Sequence, residues 1–353
     1  MTPAPAPARR WREGTRLQVG LVGAGMISYY HLVAWSRQER AQVVAVCDPQ
    51  IERARARAAE FGIPAAYDRI EAMLDKHAVD AVDIASPRET HAGIVEIAAE
   101  RGIDALCQKP LTPTLGEGAA LAARVASRIR LMVHENWRFR PWYRRLGEWL
   151  AAGDLGSVHY ATMTMLSSGL VRDANGRFPD LVRQPFMAHE KRLMIAEVLI
   201  HHLDVVRWLC GPLRLVAART AHTVPEVAGE SQAMIFLETA QRAPVIVGGT
   251  LAAPGLDPRT GDRFEIVGSK ATALLADADL HLLGPTPRQE SFVFERDYQA
   301  SFDGAIAHFV DCLASGATFE TDVLDNLETL RLVEQAYAAA DASPGAANDR
   351  SGP

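Results

Sequence analysis

The segment EVLIHHLDVVRWLCG, residues 197–211, sets Glu197, His201, His202 and Asp204 within eight positions of a mainly apolar run. Glu197 and His201 are four apart, so on an α-helix they share a face. A carboxylate one turn before an imidazole can accept its N–H, fix its tautomer and stabilise the imidazolium, as an oriented general base requires. His202 points about 100° away from His201, and Asp204 lies nearly a full turn further on. The same residues also suit a hydrogen-bonded place on a helix that is mainly core, with Glu197 serving the helix N-terminus, and both readings stand at this point. Metal ligation is a third. It lacks the HExxH spacing, because VHENWR carries Arg138 and AHEKRL carries Leu193 where the second histidine would stand. No metal is expected.

A second group of residues lies near the N-terminus. LQVGLV, residues 17–22, is a short apolar run followed by GAGMIS. Gly23 permits a tight strand-to-helix turn, and Gly25 lets the backbone approach a pyrophosphate held on the helix N-terminus, so a dinucleotide would lie over Gly23, Gly25, Met26 and Ile27. Ser28 takes the third glycine position of GxGxxG, a small residue that still allows close helix–strand packing. Asp48 follows VVAVC, 20 residues after Ser28, where an acid meets the ribose hydroxyls of NAD and repels the 2′-phosphate of NADP. NAD is therefore expected, and NADP disfavoured. Lys109, in CQKP, falls at the predicted C-terminal end of a parallel strand, the edge at which open α/β sheets hold ligands. Its ammonium could stabilise a developing alkoxide; a plain exposed loop lysine is the alternative.

The elements that must position these groups change character along the chain. Up to about residue 136, short apolar runs alternate with helical stretches, which predicts a parallel, doubly wound sheet. From Trp137 onward, 157–166, 213–224, 231–239, 243–251 and 263–268 read as strands without helices between them, a helix lies near 194–210, and a helical pair closes the chain. This predicts an α/β protein with a Rossmann domain over 17–136 and an α+β domain over 137–340 carrying a large, mostly antiparallel open sheet. Residues 1–16 and 341–353 read as a disordered leader and tail. The wide sheet is expected to hide a face in a homodimer or homotetramer.

Composition excludes several classes. The chain has 353 residues, 48% of them hydrophobic, and a net charge of −6 with both signs dispersed, so neither a nucleic-acid partner nor a membrane one is expected. Cys47, Cys107, Cys210 and Cys312 form no CxxC, which fits buried thiols in the cytoplasm.

Taken together, the motifs resemble the glucose–fructose oxidoreductase/inositol dehydrogenase/rhizopine catabolism (Gfo/Idh/MocA) family over about 17–340. The resemblance rests on the glycine turn, the acid after strand two, Ser86-Pro87 followed by His91, Gln108-Lys109-Pro110 in place of EKP, and Glu197, His201 and Asp204 followed by Arg207-Trp208-Leu209-Cys210-Gly211. It implies NAD-dependent hydride transfer at a hydroxyl-bearing carbon of a sugar, polyol or sugar acid. It further implies cofactor contacts from Ser86, His91, Gln108 and Lys109, and catalytic roles for Lys109 and His201 with Glu197. Two departures stand out: Gln108 replaces Glu, and Glu197 replaces Asp.

Substrate contacts are expected from Trp137, Arg138, Arg183 and His202, with Arg140, Arg192 and Trp142 as further candidates. Guanidinium groups bind carboxylates bidentately, so this many arginines tilts the expectation towards a sugar acid. Rival readings are a NAD-sensing regulator without turnover, a NAD-assisted glycoside hydrolase, and an oxidoisomerase.

Overall fold

The computed structural model describes residues 15–342 except Thr260. The expected leader and tail lie almost wholly outside the described residues. The described chain forms two compact units. The first takes residues up to Arg140 together with Tyr298–Leu330; the second takes Pro141–Asp297 and the residues from Arg331 on.

The sheet of the first unit contains β1 (Leu17–Val22), β2 (Ala41–Cys47), β3 (Ala66–Tyr67), β4 (Ala81–Ile84), β5 (Asp104–Gln108) and β6 (Leu131–His134). Its order is β3-β2-β1-β4-β5-β6, and every neighbouring pair is parallel. Between the strands run α1 (Met26–Ser36), α2 (Ile51–Phe61), α3 (Ile70–Lys76), α4 (Arg88–Glu100) and α5 (Leu115–Val125). The strand order reverses between β1 and β4, so the ligand crevice of this topology opens outside their carboxyl ends. Strands covered on both faces must be apolar throughout, and β4, β5 and β6 are buried at every position.

The last two helices of the chain, predicted from sequence without a packing partner, are α9 (Phe294–Ser315) and α10 (Val323–Asp341), numbered after α6 (Pro141–Ala151), α7 (Pro179–Arg183) and α8 (Ile200–Cys210) of the second unit. Phe302, Ile306, Phe309 and Val310 of α9 share one core with Leu17, Val19, Trp35, Leu106 and Met132. Burying each phenylalanine is worth about 1.5–3 kcal/mol, so this helix completes the first unit.

The second unit is built on a sheet ordered β14-β13-β12-β11-β7-β10-β9-β8. Its strands are β7 (Val158–Leu166), β8 (Leu213–Ala221), β9 (Gln232–Thr239), β10 (Pro244–Thr250), β11 (Asp262–Gly268), β12 (Thr272–Asp277), β13 (Asp279–Leu283) and β14 (Arg288–Ser291). All pairs are antiparallel except β7 with β10. The register aligns Ile235, Val247, Met163, Phe264, Leu275 and Leu280 in one row across the sheet, all buried. One residue along, Phe236, Ile246, Thr162, Glu265, Leu274 and His281 form a row on the opposite face. Phe236 and Met234, both on that face, are 41% and 40% exposed. The alternation follows the two-residue period of a strand.

The structure adds elements that the sequence expectation lacked and divides one that it had. The strands β12 to β14 are additional. The β12–β13 turn runs through Asp277 at φ 58°, with no glycine to mark it. The expected helix over 194–210 is two elements: Met194–Leu199 is a π-helical turn, and α8 begins at Ile200.

Candidate active site

The glycine turn is built for a dinucleotide. Gly23 has φ +101°, and a Cβ there would sit 2.4 Å from the Ala85 carbonyl oxygen at the end of β4. Only glycine satisfies both constraints. At Gly25 a Cβ would meet nothing within 4 Å, so the backbone borders open space. Gly25 caps α1 without a side-chain hydrogen bond, and the first turn holds no acidic residue. The free amides of a helix N-terminus are then available to a pyrophosphate. Ser28 is fully buried and donates its hydroxyl to the Gly25 carbonyl at 2.6 Å, filling the third glycine position and bracing the turn. Met26 is exposed, while Ile27 packs into the core beneath.

Asp48 closes the turn. Its Oδ2 accepts from the Ala24 amide at 2.8 Å and its Oδ1 from the Gln50 amide at 2.9 Å. A carboxylate has about four acceptor sites, so these bonds fix its orientation and leave lone pairs for ribose hydroxyls. These residues fit NAD.

Around the ends of β4 and β5 the placement is mixed. Ser86 bonds Thr90 through its hydroxyl at 2.7 Å. His91 is buried, with Nδ1 2.9 Å from the Pro110 carbonyl oxygen and Nε2 2.9 Å from that of Ser86. It ties the two loops together from behind. Burial lowers its pKa, and the carbonyl contacts oppose that only in part. Lys109 is half-buried at the carboxyl end of β5. Gln108, just before it, is buried and turns its amide inward to His31 and His134.

In the second unit, Glu197 lies in the π-helical turn and His201 in the first turn of α8. A π-turn bonds i to i+5, so the α-helical argument for a shared face does not carry across this junction. The turn is held from outside. Glu230 accepts from the Leu193 and Ile195 amides at 3.2 and 3.0 Å, and from the Tyr337 hydroxyl. Tyr337 accepts in turn from the Ala196 amide at 3.2 Å. Burial first, then the Glu230 charge, raises the pKa of that phenol.

His202 is fully buried. Its Nε2 is 2.9 Å from Asp262 Oδ1 and its Nδ1 is 3.2 Å from the Val198 carbonyl oxygen. The Tyr143 hydroxyl donates to the other Asp262 oxygen.

Three of the arginines expected to meet a carboxylate already meet protein ones. Arg138, 2% exposed, donates to Asp325 at 2.6 Å and to the Glu320 carbonyl at 2.9 Å. Arg192 pairs with Glu334 at 2.8 Å, and Arg140 stacks 3.5 Å from the centre of the Trp137 ring. Arg183 is 3.6 Å from Asp180 on the same short helix; burial raises the Asp180 pKa against that pairing. Trp142 is fully buried and stacked on Phe294, which makes it a core residue.

Sequence reasoning passed over His31, Asp83, His134, Glu230, Tyr337 and Asp262. One of them carried a signal: Asp83 is a charged residue in the middle of a fully buried strand, where an acid must have partners. Among the described residues, no group of three or more His, Cys, Asp or Glu side chains is gathered as for a metal, and no helix is long and apolar enough to cross a membrane.

A doubly wound parallel sheet with a dinucleotide turn, followed by a wide mostly antiparallel sheet, defines a two-domain nicotinamide-dependent oxidoreductase. The comparisons agree: residues 17–135 match the oxidoreductase family with NAD-binding Rossmann fold, GFO_IDH_MocA, and residues 143–274 match the GFO/IDH/MocA C-terminal domain. The chain belongs to the Gfo/Idh/MocA family. It is similar to a D-apiose dehydrogenase of Paraburkholderia graminis, 34% identical over 340 residues, with 92% of this chain and 88% of that one covered. A D-apiose dehydrogenase of Rhizobium rhizogenes is 30% identical, with 92% and 96% covered. Among solved structures, an oxidoreductase from Agrobacterium radiobacter in complex with NAD+, L-tartaric acid and magnesium aligns with a TM-score of 0.86 at 29% identity, covering 93% of this chain and 97% of that one.

Proposed function

We propose that this chain oxidises a hydroxyl-bearing carbon of a neutral sugar or polyol, with a branched aldose of the apiose type as first candidate. The observation that carries the reading is the similarity to D-apiose dehydrogenases along almost the whole chain. The earlier tilt towards a sugar acid rested on arginines, and Arg138 and Arg192 are committed to Asp325 and Glu334.

When bound, NAD supplies the two-electron acceptor. Gly23, Gly25 and the α1 amides would hold its pyrophosphate, and Asp48 its adenosine ribose. His201 takes the proton of the substrate hydroxyl, Lys109 stabilises the developing oxyanion, and Glu197 orients the base or a neighbouring hydroxyl. On a cyclic aldose, oxidation at the hemiacetal carbon would give a lactone.

Purified enzyme given D-apiose, myo-inositol and an aldonate, each with NAD and with NADP, tests the reading by NADH or NADPH absorbance. D-apiose with NAD should give the highest kcat/KM, and NADP should be at least about 100-fold poorer because Asp48 faces its extra phosphate. Absence of NADH formation with every sugar and polyol would remove the proposal.

We further propose that the sheet face carrying Phe236 and Met234 joins copies of the chain into a homodimer or homotetramer, because exposed apolar side chains on a wide sheet face are costly to leave in water. Phe236→Glu should shift the enzyme to a smaller species in sedimentation velocity; an unchanged sedimentation coefficient would exclude this face. The unpaired state of Cys47, Cys107, Cys210 and Cys312 suits a cytoplasmic location, to which we assign the chain.

A further inference from the structure

Behind Lys109 lies a chain of buried polar groups that the reaction does not itself require. Trp35 Nε1 donates to Asp83 Oδ2 at 2.6 Å, and His31 Nδ1 lies 2.8 Å from the same oxygen. On the other side of its ring, His31 Nε2 is 2.8 Å from Gln108 Nε2, which also lies 3.2 Å from His134 Nδ1. Gln108 Oε1 accepts from the Lys109 backbone amide at 3.1 Å. Asp83, His31 and His134 are fully buried, and Gln108 is 7% exposed.

The hydrogen-bond directions fix the ring protons in this chain. The Gln108 oxygen is identified by the amide that donates to it, so the group facing both histidines is NH2, which only donates. His31 Nε2 and His134 Nδ1 must therefore be bare acceptors. His31 then carries its single proton on Nδ1 and gives it to Asp83, while His134 carries its own on Nε2. Both rings are neutral. They stack with centroids 4.3 Å apart, and Phe302 of α9 packs on both. Burial disfavours charge on His134. Titratable groups nearby include Asp83 itself, Glu135 next to His134 in the chain, and the Cys107 thiol, whose pKa burial and the Asp83 charge both raise. Asp83 Oδ1 and His134 Nε2 have no partner among the described residues. A network that leaves two of its own atoms unsatisfied is a poor device for stability.

We propose that Gln108 is a positioning residue: its neutral amide ties the Lys109 backbone to the buried Asp83–His31 pair and holds both histidines uncharged behind the reacting lysine. A carboxylate at this position would present only acceptors to two nitrogens that are acceptors already. It would be tolerated only with a proton added to the rings or to itself. This inference rests on the catalytic role assigned to Lys109.

The test compares Gln108→Glu with His31→Gln, His31→Leu and Lys109→Ala, each checked for NADH binding by fluorescence. Gln108→Glu should lower kcat at least about tenfold at alkaline pH and recover as pH falls, with KM for NAD little changed. His31→Gln offers a donor to Asp83 and an acceptor to Gln108, so it should keep the parent pH profile and turnover to within about threefold; His31→Leu should lose turnover. The proposal is overturned if Gln108→Glu keeps the parent kcat and pH profile, or if His31→Gln binds NADH yet loses turnover. Full activity in Lys109→Ala would instead remove the lysine's catalytic role, a distinct result from an inactive Lys109→Ala beside an unaltered Gln108→Glu.

Discussion

Lys109→Ala is expected to lower kcat by about three orders of magnitude while leaving the affinity for NAD within a few-fold. Removing one group that stabilises a developing oxyanion costs about 10²–10³ in turnover, and removing a general base about 10²–10⁴. His201→Ala should therefore fall in the same range. The glycine turn and Asp48 carry the pyrophosphate and the adenosine ribose, and Lys109 is one expected cofactor contact among several, so binding of NADH, read by fluorescence, should survive both changes. The double variant adds a sharper criterion. Groups that serve one step are strongly non-additive, so the pair should lose little more than the worse single variant. Near-normal turnover in both single variants would remove the roles of Lys109 and His201. Fully multiplicative losses would place them in separate steps.

The largest expected effect on stability comes from Asp262→Ala. Asp262 is the common acceptor of His202 and Tyr143, and all three are buried. Deleting it takes a shared acceptor away from two donors in the interior of the second unit. Each orphaned buried polar group costs about 1–3 kcal/mol, and breaking a buried charged contact from one side costs about 3–5 kcal/mol. A loss of about 3–5 kcal/mol is a large share of the 5–15 kcal/mol typical of folded domains. Urea unfolding of the purified protein measures it. Asp262→Asn, which keeps one acceptor and the shape, should lose less. A loss below about 1 kcal/mol for the alanine variant would mean that the triad contributes nothing beyond packing.

Much of this architecture was legible from residue order because its signals are local. LQVGLV, GAGMIS and Asp48 announce strand, turn, helix and acid within about thirty residues, and the period-two alternation of MIFLE announces a half-buried strand. The hidden parts depend on distant partners. β12 and β13 meet through a left-handed aspartate, so no glycine marks their turn. The π-turn at Met194–Leu199 has an ordinary helical composition; Glu230 and Tyr337, about 35 and 140 residues downstream, bind its amides. Arg138 and Arg192 read as carboxylate binders because sequence shows a guanidinium but not the Asp325 or Glu334 that occupies it. Gln108 read as a simple loss of charge from EKP; its value lies in two imidazoles contributed by α1 and β6.

The aromatic seal that α9 places under the first sheet has a consequence for biosynthesis. Phe302, Phe309 and Phe319 join the core containing Val19 and Leu106, yet the ribosome delivers them long after Arg140. At about 5–20 residues per second, the half-finished nucleotide fold waits on the order of ten to forty seconds with a greasy underside bare. During that interval it is a natural client for a holding chaperone. A gene fragment cut at residue 140 would freeze the nascent chain in that sticky state.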